Sequence, residues 1–471
     1  CERWREIRRS YIDRLRISQR SAIELWPSQL EAAHRAADSS DDLVVALPTG
    51  AGKTRIAELC ILRVLASERR AVYVAPLRAL SSQVERNLSD LFAPLGFSVS
   101  SLYGSAGTQC DADTLRERSV VVCTPEKLDF ALRNDPTVID DVGLVVLDEG
   151  HMFGPDEREV RYECLVQRLL RRTDSSSRRI VCLSALFPDP SEMRDLIAWI
   201  RQDEPGDPVY CTWRPTKQRF GVLRWEEDSA SLEVAVESQT AAIPNFIESH
   251  DPPEVSRRRT AFPRNKNELT LAGAWRSARE SKDVLIYCPL RSSVQTLGDC
   301  ALDCIRHGVL QSLTGPREGV QDAIDVGIEW LGKDHVAVRC LEQGIALHHG
   351  GLHRAFLSAI ERLLRNRQCP ITIASPTLAQ GLNLSASVVL VSSTWRNGEP
   401  IPEKEFVNVA GRAGRPFVDA EGLVLCVLRE DDNRRARRAL RRWKQLIGSA
   451  QRFGVESGLL ALALRICEHI A

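Results

Sequence analysis

Short apolar runs alternate with amphipathic stretches through most of the chain. From 43 to about 215 the runs are Leu43–Leu47, Ala71–Ala75, Val120–Cys123, Leu144–Leu147 and Ile180–Leu183. Each is too short for a helix, and each is followed by a helical pattern. That alternation predicts buried parallel strands in a doubly wound α/β domain. A second series follows at Val284–Cys288, Ile345–Leu347, Ile371–Ala374, Val388–Ser392 and Leu423–Leu428. Outside these series the pattern is helical. Trp4–Leu15 and Trp26–Ala33 predict N-terminal helices, and Asp431–Leu446 and Gly458–Ile470 predict C-terminal ones. The expected organisation is a helical segment at 1–40, an α/β domain at 41–225, a linker or insertion at 226–268, a second α/β domain at 269–428 and a helical segment at 429–471. The linker assignment rests on the acidic and proline-rich character of EEDSASLE and HDPPE.

At 471 residues the chain exceeds one core, which agrees with this division. Its 63 basic and 63 acidic residues cancel, so a polyanion-binding surface must concentrate its positive charge locally. The basic helix Asp431–Leu446 is one such concentration, either as a solvated face or as a contact to a backbone or partner. The 14 cysteines are scattered, and the pair Cys300 and Cys304 has no second pair at zinc spacing. Reduced thiols and a cytoplasmic location are expected. No apolar run is long enough to cross a membrane.

The chemistry concentrates in two places. LPTGAGKT at Leu47–Thr54 sits between an apolar strand and a helical pattern, the context of a phosphate-binding loop. Leu47 fills the first position, where the consensus has Gly. Thr49, Gly50, Ala51 and Gly52 would offer backbone N–H groups to phosphates. Lys53 would reach the β- and γ-phosphates, and Thr54 would ligate Mg²⁺. The run Val145–Leu147 then ends in Asp148-Glu149-Gly150-His151. Adjacent carboxylates at a strand end suit a cation site, with Asp148 on Mg²⁺ and Glu149 orienting or deprotonating the attacking water. ATP and Mg²⁺ are therefore the expected cofactors. Glycine-rich GRAGR at Gly411–Arg415 can present Arg412 and Arg415 to a γ-phosphate from the second domain.

These motifs together resemble superfamily 2 DExH-box helicases, the group with superkiller-type RNA helicases and archaeal repair DNA helicases. The resemblance runs from about 24 to 418 and implies two tandem RecA-like domains. WPSQLEA resembles the adenine-reading motif, which puts Gln29 on the adenine edge. APLRAL (Pro76, Arg78) and TPEK (Thr124, Pro125) resemble strand-contacting motifs. YCPLRSSV brings Arg291 to the same task, and ASPTLAQGLNLSA brings Ser375 and Thr377. Gly381 and Asn383 of that last motif are implied on the nucleotide. His151, with Ser184 and Ala185 of SAL, is implied in coupling hydrolysis to movement. WRPT at Trp213–Thr216 is similar to the segment where such chains leave the first domain. VNVAGRAGR matches the sixth motif, except that Asn408 stands where the family usually has Gln.

The expectation is an ATP-dependent helicase or translocase on single-stranded or partly duplex nucleic acid, moving 3′→5′ by resemblance. DNA is favoured over RNA, repair and anti-phage defence are candidate processes, and protein partners of a larger complex are compatible with it. The alternatives are an RNA helicase, or a nucleic-acid-stimulated ATPase that does not separate strands. Asn397-Gly398 between Val388–Trp395 and a polar return predicts a tight hairpin. The resemblance suggests that this hairpin splits the duplex, with Trp395 capping a base pair and Arg396 holding a phosphate. A plain connecting hairpin fits the same residues.

Overall fold

The computed structural model describes residues 2–17, 23–38, 41–48, 50–76, 78–102, 114–150, 152–154, 156–185, 190–236, 239–254, 256, 258, 260–313, 319–376, 384–415, 418–429, 433–449 and 457–470. They form two units, Cys1–Arg214 with Arg452–Ala471, and Pro215–Gln451.

The first unit is built on a parallel sheet of seven strands. In chain order they are β1 (Leu43–Ala46), β2 (Arg70–Val74), β3 (Val99–Leu102), β4 (Val120–Cys123), β5 (Val142–Leu147), β6 (Arg179–Ser184) and β7 (Val209–Tyr210). The spatial order is β3-β4-β2-β5-β6-β1-β7. Strands covered on both faces are apolar at nearly every position, which is why they read as continuous runs. Alternate residues serve opposite faces. Val45, Tyr73, Val122 and Val146 join one cluster with Ile56, Leu88 and Ala32, from the helices Lys53–Leu65, Arg78–Phe92 and Pro27–Asp38. Val44, Val72, Val121 and Val145 join the other with Leu128, Leu165 and Ile197, from the helices Pro125–Asn134, Glu157–Leu170 and Pro190–Ile200. The pattern of apolar runs does not reveal β3 and β7, because Val99-Ser-Ser-Leu is half polar and Val209–Tyr210 is only two residues long.

The second unit has an eight-stranded sheet. Its strands are β8 (Lys217–Glu226), β9 (Ser229–Val236), β10 (Gln239–Glu248), β11 (Val284–Tyr287), β12 (Ile345–His348), β13 (Ile371–Ala374), β14 (Val388–Val391) and β17 (Glu421–Leu428). The spatial order is β10-β9-β8-β17-β14-β11-β13-β12. From β8 across to β12 the pairing is parallel, and β8, β9 and β10 pair antiparallel. A separate two-stranded ribbon pairs β15 (Trp395–Arg396) with β16 (Glu399–Pro400).

Two expectations need correction. The division between units falls inside Trp213–Thr216, so 217–225 belongs to the second sheet and not to the first domain. Within the residues expected as a linker, Ser229–Val236 and Gln239–Glu248 instead extend that sheet. The acidic cluster is a tight turn, with Glu226 paired to Ser229 and Glu227 at φ 49°. Turn polarity at Glu227-Asp228 masks the strands on either side of it.

Candidate active site

The phosphate loop leaves the carboxyl end of β1, where open α/β sheets bind ligands. Leu47 N–H donates to Ser184 O at 3.0 Å, tying the loop's first residue to the end of β6. Gly50 and Gly52 have φ of +83° and +81°, a region open to glycine and costly for other residues. Gly52 is also crowded, because a Cβ there would run into the Gln29 amide. Gln29 itself is 5% exposed and accepts from Trp26 N–H at 2.8 Å while its Nε2 donates to Gly52 O at 3.1 Å. The adenine-reading candidate is thus coupled to the loop. Lys53 and Thr54 open the helix Lys53–Leu65, whose N-terminal N–H groups favour an anion. Thr49 lies outside the described residues.

Asp148 and Glu149 stand at the carboxyl end of β5. Asp148 is buried, its Oδ2 accepting from Tyr73 Oη at 2.7 Å and its Oδ1 from Glu149 N–H at 2.9 Å. Burial, then repulsion from Glu149, push the Asp148 carboxyl up to about 6 against the pull of Lys53. Glu149 has φ 51°, a strained backbone for a side chain of its kind, and its Oε2 lies 3.9 Å from Lys53 Nζ. Gly150 leaves no room for a side chain, because a Cβ would strike Cys182 Sγ on β6. Lys53 meets a buried and a half-buried carboxylate there, and oxygen donors of this kind suit a divalent cation. His151 lies outside the described residues.

In the second unit Arg412 follows the helix Glu403–Ala410, and it is 9% exposed with Nη1 donating to Leu384 O at 3.5 Å. Arg415 is committed locally. Its Nε and Nη2 grip Asp419 at 2.8 and 2.7 Å, and its Nη1 meets Asp283 at 2.6 Å. Those carboxylates raise its pKa further.

Residues 26–194 match the family model of the DEAD/DEAH box helicases. The chain is 30% identical over 440 residues to the Hachiman protein HamB of Bacillus cereus, covering 89% of this chain and 38% of that protein. It is 28% and 27% identical over 421 residues to the ATP-dependent DNA helicases Hel308 of Pyrococcus abyssi and Pyrococcus horikoshii, covering 87% of this chain and 52% of each. The chain is similar to the superfamily 2 helicases. It spans about half or less of the length of these relatives.

The strand-contacting candidates also lie at carboxyl ends of strands. Pro76 follows β2, and its carbonyl accepts from Arg158. Thr124 and Pro125 follow β4 and start the helix Pro125–Asn134, both of them buried. Ser184 ends β6, with Ala185 after it. In the second unit Arg291 opens the helix Arg291–Arg306, and Ser375 follows β13 with its N–H donating to His348 O at 3.0 Å. Arg78 opens its helix, but its side chain lies outside the described residues, as do Thr377, Gly381 and Asn383. His353 caps the helix Arg354–Arg365, and His349 precedes that helix. Burial, then Arg291, hold the His349 imidazole down at about 4, hence neutral. Glu268 gathers with Cys300 and Cys304, but its carboxylate is already gripped by Arg258 and by Arg264 N–H.

Several residues that hold the candidate site together carry no motif signal. Tyr73 holds Asp148 from the middle of an apolar strand, and Tyr162 Oη donates to Asp148 O at 3.1 Å. Tyr11, Arg55 and Glu58 form a triangle that fixes the N-terminal helix Glu2–Ile17 to the helix Lys53–Leu65. A polar tip on an otherwise apolar residue is the one clue that the sequence offers at Tyr73.

Proposed function

We propose that the protein is an ATP-dependent helicase or translocase, acting 3′→5′ on DNA, in repair or anti-phage defence. The observation that carries this reading is the meeting of Lys53, Asp148 and Glu149 at the ends of β1 and β5. Lys53 and the loop N–H groups bind the phosphates of ATP. Asp148 and Thr54 would hold Mg²⁺, which when bound offsets charge on the β- and γ-phosphates. Glu149 orients the attacking water and takes its proton. Arg412 stabilises the charge that develops on the γ-phosphate. Pro76, Thr124, Arg291 and Ser375 hold the strand mainly through its phosphates, so sequence preference is weak. DNA is the proposed substrate because the archaeal relatives are named DNA helicases.

A second reading, an ATPase that moves on nucleic acid without separating strands, is favoured by one feature. The ribbon β15–β16 has two residues per strand, and Arg396 turns inward to Glu405. The test compares ATP turnover and unwinding with single-stranded DNA, single-stranded RNA and forked duplexes. Lys53→Ala should abolish nucleotide binding, and Glu149→Gln should bind ATP without turning it over. Near-parent turnover in Glu149→Gln would remove Glu149 as the base, and stimulation by RNA alone would reverse the choice of DNA.

A further inference from the structure

The ribbon hangs on a polar knot. Ile401 N–H donates to Thr394 O at 3.0 Å and closes its base, while Asn397 and Gly398 turn its tip at φ 49° and 87°. Arg396 points back from β15. Its Nε donates to Pro289 O at 3.0 Å, and its guanidinium pairs with Glu405. The same Glu405 Oε1 accepts from Tyr287 Oη, at the end of β11. Glu405 is 6% exposed, in the first turn of the helix Glu403–Ala410. That helix leads directly into Arg412, through Gly411 N–H to Val407 O at 2.8 Å and Arg412 N–H to Val409 O at 3.0 Å. A charged side chain shared by a sheet, a ribbon and a helix transmits displacement better than apolar contact, because no member moves without leaving a buried charge unpaired.

The outer side is clamped as well. The helix Asn433–Ser449 lays Arg438 over the Trp395 ring at 4.0 Å. Its Arg442 donates to Ile401 O at 2.8 Å, and its Trp443 packs edge-on against Phe406 at 5.3 Å. The ribbon and the helix Glu403–Ala410 are therefore gripped between β11 and one basic helix.

We propose that Glu405 is a positioning residue that locks the ribbon Trp395–Pro400 to the helix Glu403–Ala410 that leads into Arg412, so that hydrolysis and ribbon movement are one stroke. This rests on the helicase reading above. Glu405 touches neither nucleotide nor strand, and acts through Arg396 and Tyr287.

The experiment uses the full chain with Glu405→Gln, Arg396→Gln and the double variant. Strand-stimulated kcat and KM for ATP should stay near the parent values, while base pairs opened per ATP on a forked duplex fall roughly 2–30-fold. The double variant should fall no further than either single, since both remove the same link. Arg396→Lys, which keeps the charge, should recover part of the ratio. Amide hydrogen exchange of 394–401 gives a readout besides activity, and both single variants should expose those amides. Additive losses, an unchanged ratio, or equal loss of turnover and unwinding would each overturn the lock. A parent protein that never opens a duplex would defeat the helicase reading instead. The lock would then stand or fall on whether exchange at 394–401 rises equally in the singles and the double.

Discussion

At the scale of single residues, the site depends on a crowded glycine and a buried carboxylate. Gly150 is required because β6 passes beneath it, and Gly150→Ala would push Cys182 Sγ and displace Glu149 next door. Overpacking of this kind costs about 1–3 kcal/mol. Gly150→Ala should lower the thermal midpoint and the turnover together, and adding Cys182→Ala should restore much of both. If the second substitution restores nothing, the crowding is not the cause. Asp148 supplies a pH signature. With its carboxyl pushed up to about 6, it is protonated below that pH and loses the charge a divalent cation needs. The kcat/KM for ATP should fall as pH drops through about 6, and a profile flat to about pH 5 would contradict it. The stability sign is opposite. The folded state holds this proton more tightly than the unfolded chain, so that contribution is present at low pH and lost as pH rises towards 6. Asp148→Asn should remove that slope.

At the scale of elements, the basic helix Asn433–Ser449 divides into two faces. Ala439, Trp443 and Leu446 are buried at helical spacing, and Arg438 and Arg442 serve the ribbon and its base. The density of arginine in its sequence hides that stripe. Arg435, Arg437 and Arg441 remain exposed. Reversing the charge of Arg435 and Arg441 should weaken single-stranded DNA binding and lessen its salt dependence, by a slope of about 0.7 for each phosphate no longer neutralised. Arg438→Glu should instead loosen the ribbon. Unchanged isotherms across salt in the Arg435 and Arg441 variant would make this face merely solvated. The central strands are legible in the sequence because burial on both faces makes them uniformly apolar, and the ribbon because Asn-Gly accepts positive φ. The strands β8–β10 are not, since acidic turn residues and Pro244 dominate their composition. In the site, the loop and DEGH are legible from spacing. The grip of Asp419 and Asp283 on Arg415 is not, because Asp283 lies 132 residues away in sequence.

At the scale of the whole molecule, the second unit supplies two arginines whose effects can be separated. Arg412→Ala should cut turnover by about 10³–10⁵-fold with little change in ATP affinity. Arg415→Ala should also destabilise the second unit, by about 1–3 kcal/mol, because Asp283 loses the guanidinium while Asp419 keeps Ser387 Oγ and the main-chain N–H of residue 415. Single-turnover hydrolysis and denaturant midpoints separate the two effects. Unchanged hydrolysis in Arg412→Ala would remove it from the reaction, and an unmoved midpoint in Arg415→Ala would make its ion pairs superficial. The chain passes from the first unit to the second at Arg214 and returns at Arg452. After that return, Ser457 Oγ donates to the buried Glu163 at 2.5 Å, and Leu459 N–H donates to it at 3.1 Å. On the ribosome, then, Glu163 emerges nearly three hundred residues before its partners do. A nascent first unit must wait with that carboxylate unanswered until the entire second unit has been synthesised, which makes the finished fold of one unit a checkpoint on the arrival of the other.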